Sequence, residues 1–132
     1  METILTNDAF QPTIYLKQGC PFCMKVDIFV LEAGLRDKVK IRRFVAGTDE
    51  EQTVRAELEP HLTKVSFPAA HIAPDRYVAD SDGINEELAN QNGIDKANLV
   101  TLRYYIEGPF QAVMNLYGEN MKLKDELSKL KQ

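Results

Sequence analysis

Both cysteines of this 132-residue chain lie in one motif, Cys20-Pro21-Phe22-Cys23. The run from Thr13 to Leu16 just before it is rich in β-branched and aromatic side chains, which is typical of a strand, whereas apolar residues after the motif recur with helical spacing. Cys20 is therefore predicted to lie at the N-terminus of a helix. Because unpaired backbone N–H groups and the helix macrodipole stabilise an anion there, we expect a lowered pKa for the Cys20 thiol.

This placement gives the two thiols different predicted roles. Cys20 is the nucleophile, and Cys23, about one helical turn further on, can attack a disulfide formed on Cys20 and release the bound partner. A structural disulfide is a weaker interpretation, because so short a loop constrains the unfolded chain little. Two inert core cysteines are a weaker interpretation as well. A zinc site is also weaker, because His61 and His71 lack ligand-like spacing to the motif. We therefore expect redox chemistry and no metal.

Composition and charge narrow the classes of partner. The chain has a formal net charge of -4 and no dense basic patch, which argues against nucleic acid as a partner. Residues Met1 to Asp8 lack the basic and apolar regions of a signal peptide, and no apolar run approaches the roughly 18 residues of a membrane span. We therefore expect a cytoplasmic protein that does not enter a membrane.

Strand-like and helix-like segments alternate along the first two thirds of the chain. The predicted segments are a strand at 13–16, a helix at 21–35, a strand at 38–45, a helix from 48 to near 60, a hairpin formed by 65–73 and 77–79, and a helix at 80–91. The order β-α-β-α-β-β-α predicts an α/β fold, with a four-stranded mixed sheet and helices on both of its faces. The expected division is a sheet domain over residues 1–93 and a C-terminal helical extension over residues 94–132.

The extension adds two predictions. The first helix has a second apolar row, formed by Met24, Ile28, Leu31 and Leu35, which we expect the segment around 99–106 to cover. The last helix, over 110–130, places Leu116, Leu123 and Leu130 seven residues apart, as in a core-packing helix or a coiled coil. A homodimer through this last helix is therefore a further hypothesis.

Three motifs in this order make residues 13–92 resemble a thioredoxin-fold domain of the glutaredoxin and glutathione transferase N-terminal type. The motifs are Tyr15-Leu16-Lys17 before the cysteines, then Ser66-Phe67-Pro68, and then Asp80-Ser81-Asp82-Gly83-Ile84. Two positions depart from the glutaredoxin pattern, which usually has tyrosine in place of Phe22 and two glycines in place of Ala79-Asp80. The pair Asp80-Ser81 is instead similar to the Glu-Ser pair of glutathione transferases.

The resemblance implies a glutathione site around the cysteines. Pro68 is implied to be a cis-proline that faces the redox pair, and the backbone of Phe67 is implied to pair with the cysteine moiety of glutathione. Lys17 is implied to contact the glycine carboxylate, and Phe22 to offer an apolar ring beside Cys20. A solvated surface position is the alternative interpretation of Lys17.

Ser81 and Asp82 complete the implied site. At a helix N-terminus, backbone N–H groups can bind the γ-glutamyl carboxylate of glutathione, and Asp82 is implied to bind its ammonium group. Plain helix capping is the alternative for both residues. The implied function is that of a glutathione-dependent thiol–disulfide oxidoreductase, with glutathione as cosubstrate and glutathionylated or disulfide-containing proteins as partners.

Two other functions stay open from the sequence. A glutathione-binding or protein-interaction module of the transferase type with little turnover is favoured by Ala79-Asp80 and by the extra helices. An iron–sulfur carrier, with Cys20 and glutathione as ligands in a dimer, is disfavoured by Pro21, because relatives that assemble clusters more often lack that proline.

Overall fold

The computed structural model describes residues 10–131. The segment from Met1 to Asp8, on which the signal-peptide prediction rests, lies outside the described residues. Within the described part, no helix is both long enough and apolar enough to cross a membrane.

Four strands form one mixed sheet. They are β1 (Thr13–Lys17), β2 (Lys40–Phe44), β3 (Ala69–Ala73) and β4 (Arg76–Val78), in the spatial order β2-β1-β3-β4. β1 pairs parallel with β2, whereas β3 is antiparallel to both β1 and β4. The predicted mixed four-stranded sheet is confirmed, and β2 lies at its edge as the alternation of its residues indicates.

Five α-helices connect and extend the sheet. They are α1 (Pro21–Glu32), α2 (Asp49–Leu58), α3 (Ser81–Asn92), α4 (Val100–Glu107) and α5 (Pro109–Leu130), with short 3-10 turns at Arg36–Lys38 and Lys96–Asn98. α1 is shorter than predicted, because the chain leaves the helix before Gly34, which adopts a φ of 73°. The predicted break between the last two helices is confirmed at Gly108.

Strand alternation divides the core into two layers. Ile14 and Leu16 point from β1 into the larger core, which also contains buried residues of α1, α3 and α4. Tyr15 points to the opposite face and packs with Val54 and Leu58 of α2. Helices therefore cover both faces of the sheet, as predicted.

The packing of the extension differs in part from the prediction. Leu99 and Leu102 are buried in the core beside α1, so α4 does pack against that helix. Met24 and Leu31, from the second apolar row of α1, are nevertheless 51% and 61% exposed. The prediction therefore holds for only part of the row, because Ile28 and Leu35 pack in the core that contains Leu99 and Leu102, whereas Met24 and Leu31 stay exposed. Helical periodicity identifies an apolar row but does not say which neighbour lies against it.

Candidate active site

The cysteine motif lies where β1 ends and α1 begins. Cys20 is the N-cap of α1, and its half-buried Sγ accepts a hydrogen bond of 3.4 Å from the backbone N–H of Cys23. Pro21 occupies the first position of the helix, where its missing N–H leaves no hydrogen bond unmade. Cys23 is buried, and its Sγ accepts a hydrogen bond of 3.2 Å from the backbone N–H of Lys17. Both cysteines are free thiols.

The two thiols have pKa values on opposite sides of the ordinary value. A hydrogen bond from the Cys23 thiol is the main cause that lowers the pKa of Cys20 to about 6, against the effect of burial. The backbone N–H groups of Cys23 and Phe22 and the charge of Lys17 lower it further. The same thiol–thiol hydrogen bond and burial raise the pKa of Cys23. At neutral pH these shifts favour a thiolate at the outer sulfur and a protonated inner one. The direction at Cys20 agrees with the expectation from the sequence, but its main cause is the Cys23 thiol and not the backbone N–H groups of the helix.

This asymmetry predicts the pH dependence of alkylation at Cys20. The rate with iodoacetamide should be constant above pH 7 and fall about tenfold per pH unit well below 6, because only the thiolate reacts. Replacing Cys23 by alanine removes the main hydrogen bond to the Cys20 thiolate, so the midpoint should move upward. Cys23→Ser is the matched control, since its hydroxyl still donates and the midpoint should move less. An unchanged midpoint in Cys23→Ala would contradict the assigned cause.

Cys20 opens onto two grooves. One has a volume of about 540 Å³ and runs between the cysteine motif and the first turns of α5, where Val113, Met114 and Tyr117 form its far wall. The other has a volume of about 380 Å³ and is bounded by Met24, Asp27 and Arg43. Lys17 and Cys20 line both grooves. Cys20 can therefore be approached from either side.

The C-terminal helices contact the motif directly. The Tyr105 hydroxyl of α4 donates a hydrogen bond of 2.7 Å to the carbonyl oxygen of Pro21. Burial and the nearby charge of Cys20 raise the pKa of Tyr105, so it stays a hydrogen-bond donor. Phe110 of α5 packs edge-on against Phe22 with ring centroids 5.2 Å apart. Nothing local in the sequence indicates that Tyr105 or Phe110 reaches the motif, because both residues lie more than 80 positions beyond it.

A buried lysine links the motif to the N-terminus of α3. Lys25 is 6% exposed, and its Nζ lies 3.0 Å from Oδ1 of Asp82 and 4.5 Å from the ring centroid of Phe110. The Asp82 carboxylate is otherwise largely exposed. Lys25 was not identified from the sequence. This lysine lies one helical turn beyond Pro21, on the side of α1 that carries Phe22, and that position is the signal that could have suggested an ion pair. Asp82 is thus paired with a cation of the protein itself.

The remaining residues implicated by the resemblance occupy the start of α3 and the turn before β3. The Asp80 side chain caps α3 by accepting from the N–H of Gly83 at 2.8 Å, so neither Ser81 nor Asp82 is the capping residue. Ser81 is 5% exposed. The peptide bond between Phe67 and Pro68 is cis, as predicted. Pro68 is buried, and Phe67 packs edge-on against Phe44.

The potential metal ligands do not cluster. Between residues 10 and 131, no three His, Cys, Asp or Glu side chains lie close enough together to hold a metal ion.

Comparisons with known proteins give only distant similarities. Neither a model of a known protein family nor a curated protein matches this chain significantly. Among solved structures, it is similar to a glutathione S-transferase from the Antarctic clam Laternula elliptica, with 20% identity over 62% of this chain and a TM-score of 0.47. It is also similar to glutathione transferase Omega 1C from Trametes versicolor, with 22% identity over 63% of this chain and a TM-score of 0.41. The matches span 35% and 37% of those two chains.

The fold itself is decided by the sheet and the motif. The sheet has the strand order β2-β1-β3-β4 with a parallel β1–β2 pair, the cysteine pair lies at the start of α1, and a cis-proline precedes β3. This chain has a thioredoxin-like fold. Its last two helices, α4 and α5, extend that fold past α3.

Proposed function

We propose that this protein is a glutathione-dependent thiol–disulfide oxidoreductase in which Cys20 is the nucleophile and Cys23 is the resolving thiol. One observation carries the proposal. Cys20 is half-buried at the N-cap of α1, where its Sγ accepts from the backbone N–H of the buried Cys23 and its pKa is lowered to about 6. A dithiol held as one accessible thiolate and one protected thiol is arranged for exchange with a disulfide.

The first step of this exchange needs only the Cys20 thiolate and a disulfide. Cys20 attacks the glutathione sulfur of a mixed disulfide, so that a Cys20–glutathione disulfide forms and the substrate sulfur leaves as a thiolate. In the monothiol route, a second glutathione thiolate attacks this disulfide, which restores the Cys20 thiolate and yields oxidised glutathione. Atoms and electrons balance without any metal.

Cys23 supports the dithiol route, in which a protein disulfide is the substrate. While Cys20 is a thiolate, Cys23 is kept protonated because it donates to that sulfur. Once Cys20 is part of a mixed disulfide, its negative charge is gone, so the main cause of the raised pKa of Cys23 is removed. Cys23 can then lose its proton, attack the Cys20 sulfur and expel the reduced product.

The placement of glutathione is a proposal that several contacts support. Lys17 lines both grooves beside Cys20, and its charge is available to the glycine carboxylate. Ser81 and Asp82 form the first turn of α3, where backbone N–H groups can bind the γ-glutamyl carboxylate. The exposed oxygen of Asp82 can bind the ammonium group while Lys25 holds the other one. Phe22, Phe67 and Pro68 are the remaining proposed contacts.

Turnover of a small glutathione mixed disulfide tests the function. We expect reduction that requires glutathione, measured as NADPH consumption through glutathione reductase. Lys17→Ala should raise the KM for glutathione about tenfold, because it removes a charge-assisted contact with the glycine carboxylate. Lys129→Ala, at the far end of α5, is the matched control and should leave the KM unchanged. No turnover by a folded protein with a titratable Cys20 would reject the function, whereas an unchanged KM in Lys17→Ala would reject only the placement.

A binding module with little turnover is the second candidate. The observation that favours it is the position of α5. This helix forms one wall of the larger groove over Cys20 and leaves less room there for a bulky protein disulfide. Calorimetric titration distinguishes the two functions. Glutathione binding without turnover of any disulfide would favour the module.

A further inference from the structure

Most of α5 lies away from the rest of the protein. Of its 22 residues only Phe110 is buried, and the first turns contact the groove over Cys20. Further along, Leu116, Leu123, Leu127 and Leu130 are each at least 54% exposed. An exposed helix with this many leucines loses the stabilisation that burial of apolar side chains provides, so it needs a partner.

The exposed leucines follow the heptad pattern of a coiled coil. With Leu116 at position d, residues 116, 120, 123, 127 and 130 alternate between d and a at spacings of four and three. Leu116, Leu123 and Leu130 occupy d, Asn120 and Leu127 occupy a, and we call these five residues the seam. Leucine at d is typical of two-stranded parallel coiled coils, and a single asparagine at an a position favours two strands in register at a cost in stability.

The charged residues beside the seam indicate that the partner is a second copy of the same helix. In this register Glu119 and Glu126 occupy g, whereas Lys124 and Lys131 occupy e. In a parallel pair of identical helices, each g residue faces the e residue of the next heptad on the partner. Glu119 would face the partner's Lys124, and Glu126 the partner's Lys131. An antiparallel pair would instead bring glutamate against glutamate and lysine against lysine.

These four side chains are available for such pairs. Between residues 10 and 131 no intrachain ion pair engages any of them, although Lys129 and Asp125 on the outer face of the same helix do pair with each other. The segment from 116 to 130 is thus complementary to a second copy of itself in both shape and charge.

We propose that α5 joins two copies of this chain through a parallel, in-register coiled coil along the seam. The proposal is independent of the redox function. At 3.6 residues per turn, the seam lies roughly a third of a turn around α5 from Met114 and Tyr117, which face the groove over Cys20. Dimerisation therefore places the second chain beside this groove, because Tyr117 on its wall occupies an e position of the same register.

Sedimentation over micromolar to near-millimolar concentrations tests the dimer. The wild type should pass from monomer to dimer, and Leu123→Glu should weaken association about 100-fold or more, because both copies lose a buried leucine. Since Leu123 is exposed in one chain, this variant should keep the fold and the titration of Cys20. Met121→Glu, outside the seam, is the matched control. A wild type that is monomeric at every concentration, or a dimer that Leu123→Glu does not weaken, would overturn the proposal.

Charge reversal tests which residues face each other. The basic variant Glu119→Lys/Glu126→Lys and the acidic variant Lys124→Glu/Lys131→Glu should each associate more weakly than the wild type, and an equimolar mixture should form heterodimers. If both variants associated as strongly as the wild type, the g-to-e contacts would be contradicted.

Disulfide formation tests the orientation. In a Cys20→Ser/Cys23→Ser background, Leu130→Cys should crosslink readily, because a parallel pair brings the two d positions together. Asp125→Cys, on the outer face, should crosslink slowly. Equal rates for the two cysteines would refute the parallel register.

Discussion

Cys20→Ser is expected to lower the turnover of a glutathione mixed disulfide by at least about 1,000-fold, in the range seen when an enzyme loses its nucleophile. The serine hydroxyl has no thiolate character, whereas the pKa of Cys20 is about 6, so its thiolate predominates at neutral pH. Cys23→Ser should keep part of the activity on glutathionylated substrates, because a second glutathione can resolve the Cys20 disulfide. The measurement is the coupled assay with both variants at equal concentrations.

The decisive result is the difference in activity between Cys20→Ser and Cys23→Ser on each kind of substrate. Cys23→Ser should lose most of its activity on protein disulfides, since only an internal thiol can resolve that intermediate rapidly. Equal losses in both variants on the glutathionylated substrate would argue against the division of roles. Far-ultraviolet circular dichroism supplies the folding control, because Cys23 is buried at the start of α1.

Leu102→Asp is expected to reduce the free energy of unfolding by more than about 3 kcal/mol and to lower Tm by more than about 10 °C. Leu102 is 5% exposed and packs into the core beside α1, so aspartate would bury an unpaired carboxylate there. Thermal and urea unfolding followed by circular dichroism measure the effect. A loss of this size would establish that α4 stabilises the sheet domain as well as extending it.

Val100→Asp is the matched control on the same helix. Val100 is exposed in the first turn of α4, where the macrodipole favours a carboxylate but the Glu32 carboxylate already accepts from the N–H groups of Thr101 and Leu102. These two effects oppose each other, so the stability should stay within about 1 kcal/mol of the wild type. If Leu102→Asp unfolded at the same temperature as Val100→Asp, the packing of α4 against α1 would be refuted.

The elements and their order follow from short-range signals that the sequence carries. The β-branched and aromatic run before Cys20 forms β1, and Pro21 begins α1 as its position predicts. Asp80 and Gly93 begin and end α3, because a capping carboxylate and a left-handed glycine act on the backbone within one turn. The cis bond before Pro68 was implied by the family resemblance. Apart from this cis bond, each of these features depends on residues that are neighbours along the chain.

The surroundings of the cysteines depend on residues that are far apart in the sequence. Lys25 pairs with Asp82, 57 positions later, and Tyr105 donates to Pro21, 84 positions earlier. Periodicity also marks Met24 and Leu31 as members of an apolar row, yet the tertiary structure leaves these two side chains exposed. A pattern along one helix states which side chains share a face, but what covers that face is decided by the packing of the other elements. The sequence by itself therefore determined where the cysteine pair lies and the elements that carry it, whereas the tertiary structure decided which side chains from α3, α4 and α5 surround it.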